Sequence, residues 1–296
     1  MRVMMSAAGS TVAPGIIRHL QNLGHYVIGH DCSRFGYGMD IVDEAHVSPR
    51  IDTDPGGYLA FVDSFNPDFD VYLPFLDEEL RLPDFNIIIG VNLAQPGKTL
   101  RIFTSKVNMQ GALEDAGLPV APYAHRHPAI YKPDHGRGGK HNIRTDTLPE
   151  PGIFDLPPLG WVGQKIIYGD EYTVDVLVDR NHHFLWATSR LRLQANGVSI
   201  VGKIIEDGEI LVLARRVVNA FQFVGPINIQ MIRERDTGKL YIIEINPRLS
   251  GSCMFTVLAG FDILNATIRL AMGLPFEPPE DVREITVQRY YEERVV

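Results

Sequence analysis

Short apolar runs alternate with amphipathic stretches over residues 1–90. Residues 3–5 read as a buried strand, and a Gly/Ala/Ser turn follows. Ile16, Ile17 and Leu20 then recur at helical spacing, and Gly24 stops that helix. Further strands are expected at 26–29, 70–74 and 87–89. Strand, helix, strand with short turns predicts a parallel sheet.

Pro96-Gly97 reads as a boundary, and 100–116 as one helix ended by Gly117 and Pro119. From Ala129 the grammar changes to strands and loops, with a Pro/Gly-rich surface connection at 149–160. Residues 172–178, 184–190 and 198–205 have the alternating or β-branched pattern of an antiparallel sheet. A helix is expected at 210–221. Strands at 228–232 and 241–245 are joined by a 235–239 hairpin turn, and a last helix at 263–272 ends at Gly273 and Pro275. The fold class is α/β, with an α+β C-terminal part. At about 150 residues per domain, 296 residues make about two domains.

Charge and cysteine content narrow the function. With 28 Lys and Arg against 36 Asp and Glu, the net charge is −8. That excludes a general nucleic-acid-binding face but leaves room for one local anion site. Cys32 and Cys253 fit a reducing compartment, as two buried thiols. No apolar run approaches the roughly 18 residues of a spanning helix. The N-terminus reads as a strand, not a signal peptide, so the expectation is a cytoplasmic enzyme that binds neither membrane nor nucleic acid.

Three nucleotide signals compete. The opening turn carries Gly9, Gly15 and Asp31, but lacks the middle glycine of a dinucleotide fingerprint. Gly97-Lys98-Thr99 lacks the first glycine of a P-loop, because position 92 is Asn92; a solvated Lys98 is the better reading. The third signal is distributed over Lys106, the Lys132 to Lys140 loop, Gln164 to Glu171, Gln230, and Glu244 to Arg248. Lys132 ends a strand and points to a loop with Gly136, Gly138 and Gly139, whose backbone N–H groups can approach phosphate oxygens. Glu244 and Asn246 are two apart on a strand and face one side, and Gln230 on the preceding strand can join them. These are hard oxygen donors suited to Mg²⁺. Arg248 suits a developing phosphoryl charge, or else a salt bridge to Glu244. Arg190 and Arg192, also two apart, form either an anion clamp in the cleft or a solvated edge. His125, His127, His182 and His183 read as exposed loop residues, with no ligand spacing.

EINPRLSGS after a strand, followed by LAGFDILNATIRLAMG, resembles the metal-binding end of the ATP-grasp fold. The likeness is closest to one synthetase unit of the carbamoyl phosphate synthase large subunit and its stand-alone carboxylate–amine ligase relatives. The N-terminal stretch to Asp31, DEEL at 77–80, and TSKVNMQGALEDAGLPVAPYA around Lys106 extend it over nearly the whole chain. The resemblance implies a Rossmann-like N-terminal domain (1–97), a linking helix with a small lid (98–168) and a C-terminal subdomain with the metal site (169–296). The lid is expected to be trimmed, since 142–161 is short and Pro-rich. It implies that Lys106 and Lys132 hold ATP phosphates, with Gly138 and Gly139 in the closing loop. Gln164, Lys165 and Ile166 match the adenine hinge, although Gln164 stands where an acid is common. Glu171 matches the ribose carboxylate. Gln230, Glu244 and Asn246 match the ligands of Mg²⁺, with Mn²⁺ as an alternative ion, and Arg248 matches the arginine at the transferred phosphoryl group. Arg190 and Arg192 resemble an Arg-x-Arg segment of the stand-alone relatives.

The expected reaction is activation of a small-molecule carboxylate as an acyl phosphate, followed by capture by an amine. Two alternatives are a nucleotide-binding protein with a retired site and an NAD-dependent oxidoreductase using the N-terminal turn. A homodimer through the N-terminal domain is compatible with the sequence, though no residue identifies one.

Overall fold

The computed structural model describes residues 1–82, 85, 93–124, 128–136, 139, 141–147, 159–293 and 295. The strand expected at 87–89, Asn92, His125, His127, Gly138 and most of the 149–160 connection lie outside them.

The N-terminal pattern folds as expected into a parallel sheet. β1 (Arg2–Met5) pairs with β2 (Tyr26–Asp31) and β4 (Val71–Leu73), and β3 (Glu44–Val47) pairs with β2. Alternation along β1 sends Val3 and Met5 to one face, against Ile16, Ile17 and Leu20 of α1 (Ala13–Asn22). Met4 goes to the other face, against Tyr58 and Val62 of α2 (Pro55–Asp63). The first core continues into the C-terminal helices through Cys253, Ile263, Leu264 and Ile268. Cys253 is buried as expected; Cys32 is exposed, a correction to the expectation that both thiols are buried.

The dinucleotide reading fails at the first turn. The Asp31 carboxylate accepts from the Gly9 and Ser33 N–H groups, so the chain's own backbone occupies the acid a ribose would need. Gly36 lies so close to Gly9 that a Cβ on it would stand 2.2 Å from the Gly9 Cα.

The helix expected at 100–116 is two helices, α3 (Gly97–Phe103) and α4 (Lys106–Asp115). Ser105 breaks it. Its hydroxyl caps α4 by accepting from the Asn108 N–H, and donates to Asp134 at 2.7 Å. Asp134 also accepts the Val107 N–H, so a carboxylate seals the helix start.

A small antiparallel sheet follows, in the order β6-β5-β7, from β5 (Ala129–Pro133), β6 (Ile143–Arg144) and β7 (Trp161–Lys165). The larger sheet is built from β8 (Gly169–Val178), β9 (Phe184–Asn196), β10 (Val198–Ile205), β11 (Gly225–Glu234), β12 (Leu240–Asn246) and β13 (Thr286–Gln288). Its order is β12-β11-β8-β9-β10-β13. One face is apolar: Val174, Ile229 and Ile245 pack with Met109 and Leu113 of α4 and with Leu213 and Val217 of α5 (Gly208–Ala220). The other face is polar. Across it run Glu244, Gln230, Thr173 and Arg190 in one row, and Asn246, Asn228 and Asp175 in the next. The helices α6 (Cys253–Ala259) and α7 (Ile263–Ala271) close the fold. Among the described residues no single helix is long and apolar enough to cross a membrane.

Candidate functional site

A cavity of about 1090 Å³ lies between three structures. The polar face of the large sheet forms its floor, and β5 with β7 forms one wall. The carboxyl ends of the N-terminal parallel strands form the other wall, through Gly9, His30, Ser48 and Asp77. Ligands of open α/β sheets commonly sit at such strand ends.

Cations meet on the small-sheet side. Lys106 is the first residue of α4, and its Nζ donates to the Gly136 carbonyl at 2.8 Å. Lys132 on β5 makes no side-chain hydrogen bond to the described residues but lies in the field of Glu244 and Lys106. Burial pushes its pKa down to about 8; Glu244 opposes that shift and Lys106 adds to it. A bound anion would relieve this crowding. Gly136 and Gly139 line the cavity beside them.

The floor supplies oxygen. Gln230 and Glu244 face each other across β11 and β12, and Asn228 and Asn246 do the same one row on. Burial pushes the Glu244 carboxyl up, while Lys106, Lys132 and Arg248 pull it down and Asp77 pushes it further up. Arg248 does not pair with Glu244. It makes a two-pronged contact with Asp77 at 2.6 and 2.7 Å. Burial works against its charge, but Asp77, joined by Glu244 and Glu78, outweighs burial and holds the guanidinium above its ordinary value. This pair joins the end of β12 to the loop after β4.

Arg190 and Arg192 part company. Arg192 lines the cavity, with Nη1 3.5 Å from Gln230 Oε1 and 3.3 Å from Glu171 Oε2. Arg190 is fully buried and does not belong to an anion clamp. Its guanidinium pairs with Asp175 and donates to the hydroxyls of Ser250, Ser252 and Thr256. The loop after β12 and the start of α6 cover this part of the polar face.

The residues expected to form the hinge line the cavity at the end of β7. Gln164 is buried; its Nε2 donates to Gln110, while its Oε1 has no partner among the described residues. The Lys165 backbone N–H is taken by the Pro122 carbonyl, and its side chain pairs with Glu234. Ile166 is a buried apolar lining residue, and Glu171 is exposed at the rim. His183 is an exposed loop residue, but His182 is half-buried against the Phe223 carbonyl.

A family model described as "ATP-grasp in the biosynthetic pathway with Ter operon" matches residues 161–293. The fold is similar to that of N5-carboxyaminoimidazole ribonucleotide synthetase in its ADP complex, with a TM-score of 0.73 at 16% identity over 96% of this chain and 80% of that one. Residues 161–293, a little under half of the chain, thus resemble an ATP-grasp family. It is also similar to the L-amino acid ligase of Bacillus licheniformis, with a TM-score of 0.69 at 16% identity, covering 96% of this chain and 78% of the other. The carbamoyl phosphate synthase large chain of Pseudothermotoga lettingae is 27% identical over 205 residues, which is 64% of this chain. The chain spans 18% of the length of that relative.

Two residues of this cavity escaped the sequence reading. Asn228 is buried, lines the cavity and leaves its Oδ1 without a partner among the described residues. Its position two before Gln230 on the same strand is a signal that spacing alone offered. Asp77 stood in the quoted DEEL stretch, but its partner Arg248 is far away in sequence and only the fold joins them.

Proposed function

We propose that the protein is an ATP-dependent ligase that activates a small-molecule carboxylate and joins it to an amine. The observation that carries this reading is the convergence of Lys106, Lys132, Gln230, Glu244, Asn246 and Arg248 on one cavity. The donor set fits magnesium: one carboxylate and two amide oxygens, with the unpartnered Asn228 Oδ1 beside them. Among the described residues no three His, Cys, Asp or Glu side chains cluster, so the site is a mixed oxygen set.

Glu244, Gln230 and Asn246 would hold the ion, which supplies charge neutralisation for the triphosphate. Lys106 and Lys132 bind phosphate oxygens from the opposite side. Gln164 Oε1 is a buried acceptor suited to the exocyclic amine of adenine, and Ile166 supplies an apolar surface for the ring. The Pro122 contact of the Lys165 N–H directs its own contribution to the nucleotide elsewhere than that donor. Arg248 sits where charge builds up as the γ-phosphoryl group passes to the carboxylate. The amine then displaces phosphate from the acyl phosphate, forming the C–N bond and releasing ADP and phosphate. Positioning and charge do the work, and no nucleophilic side chain is required.

The test is an ADP-release screen of carboxylates crossed with amines, with mass spectrometry of the products. ADP release that needs one of each, with their condensation product, supports the reading. Partners outside the ligand shell of a metal site are worth about 10–100-fold, so Glu244→Ala is expected to cost at least that in turnover. Unchanged turnover in that variant would sink the mechanism.

A further inference from the structure

A buried hydrogen-bond chain lies behind the N-terminal wall of the cavity. Glu79 is fully buried and accepts four donors: Tyr58 OH at 2.6 Å, Tyr72 OH, Ser6 Oγ at 2.7 Å and the Leu76 N–H at 3.0 Å. Tyr72 has one hydroxyl proton, and it goes to Glu79. The Tyr72 oxygen is therefore left to accept from His30 Nε2, 3.0 Å away. A neutral imidazole that donates through Nε2 carries a bare lone pair on Nδ1.

That nitrogen has no partner among the described residues, although His30 is 1% exposed and lines the cavity. An unpartnered buried acceptor is unfavourable, so its place on a cavity wall calls for a donor from outside. Burial holds the imidazole well below its usual range, at about 3, and His46 pushes the same way. His30 is thus a neutral acceptor throughout the neutral range, fixed in place by Tyr58, Phe61 and Tyr72 around its ring.

The charge around it selects the ligand. Lys106, Lys132 and Arg192 sit on the far side of the cavity, whereas the His30 wall carries Asp31 and Asp52, with Arg50 already paired to Asp52. An anion is favoured on the far side, and an N–H donor on this one.

Resting on the ligase reading above, we propose that His30 Nδ1 is the hydrogen-bond acceptor for an N–H group of the amine substrate. Tyr72 and Glu79 are positioning residues, which act by fixing the imidazole tautomer.

Nitrogen NMR of the full chain labelled with ¹⁵N-histidine tests it, in the presence of MgADP. His30 is expected to show a protonated Nε2 and an unprotonated Nδ1. Methylammonium should shift the Nδ1 resonance, while tetramethylammonium, with the same charge and no N–H, should not. In Tyr72→Phe the tautomer preference and the methylammonium response should both weaken. A protonated Nδ1, no response to methylammonium, or an equal response to both ions overturns the proposal. Thermal stabilisation by MgATP, measured on the same wild-type protein, separates the two failures. If it is absent the ligase reading falls; if it is present while Nδ1 is silent, only the role of His30 falls.

Discussion

One polar sheet face carries two different fates. At Glu244, Gln230 and Arg192 it opens on the cavity; at Arg190 and Asp175 it is covered by Ser250, Ser252 and Thr256. The residue types at the two ends are alike, and the strand spacing that puts them on one face is the same. What differs is the cover. A charge under cover needs a complete set of partners, because it has lost water. Arg190 has a carboxylate and three hydroxyls, whereas the acceptors meeting Arg192 stand 3.3 Å or more away. The covered end therefore holds structure, and the open end keeps capacity for a ligand.

Breaking the covered end should have the largest effect. Asp175→Ala leaves a buried guanidinium without its counter-charge, which typically costs about 3–5 kcal/mol. Urea unfolding should show that loss. It should also loosen the loop carrying Arg248, since Arg190 holds Ser250 and Ser252. A loss no greater than that of a surface substitution would mean that water reaches Arg190.

Asp77→Ala is the next step down, because its pair with Arg248 is half-covered, with side chains 16% and 13% exposed. Hydrogen bonds to charged groups are worth about 1.5–3 kcal/mol, and that range is expected in stability. Turnover should fall as well, as Arg248 loses its fixed direction. If stability falls and turnover does not, Arg248 acts only as a tie between the β4 loop and the end of β12.

These contrasts mark how far the sequence could be read. The parallel N-terminal sheet, the hairpin of β11 and β12 and the shared face of Glu244, Asn246 and Gln230 follow from short-range periodicity, and the structure has them. The break at Ser105 was hidden because Thr104-Ser105 suits a helix interior poorly but does not forbid it. Asp134, 29 residues on, decides the matter. Arg190 and Arg192 looked equivalent for the same reason: the cover comes from residues about 60 further along. Spacing specifies a face, and only tertiary packing says what lies over it. His30 was passed over because its Tyr72 and Glu79 partners are spread over fifty residues.

At the open end, pH offers a milder perturbation. Lys132 titrates at about 8, lowered chiefly by burial. Below that pH it is charged and can hold an anion; as pH rises through it, the proton is lost. MgATP binding followed by calorimetry should therefore be level below about pH 8 and weaken above it. A bound anion raises the lysine pKa, so proton uptake should accompany binding near the midpoint. Lys132→Met should bind weakly throughout and flatten the profile. A wild-type profile that stays level well above that pH would remove Lys132 from the phosphate site.

The smallest effect is expected at Lys98, where the contrast between cover and exposure recurs within two residues. Lys98 is exposed, while the neighbouring Thr99 is buried and donates from Oγ1 to the Gln222 carbonyl at 2.5 Å. A working P-loop would use both, the lysine on phosphate and the hydroxyl on the metal. Here the hydroxyl is engaged by a carbonyl, and neither residue lines the cavity. Lys98→Ala should thus shift MgATP affinity by less than about twofold, the range of ordinary surface substitutions. Thr99→Val should cost about 0.5–1.5 kcal/mol in stability by removing that hydrogen bond, with affinity unchanged. Loss of MgATP binding in Lys98→Ala, with Lys132→Met silent, would move the phosphate site to the start of α3 and reverse the assignment of the open end.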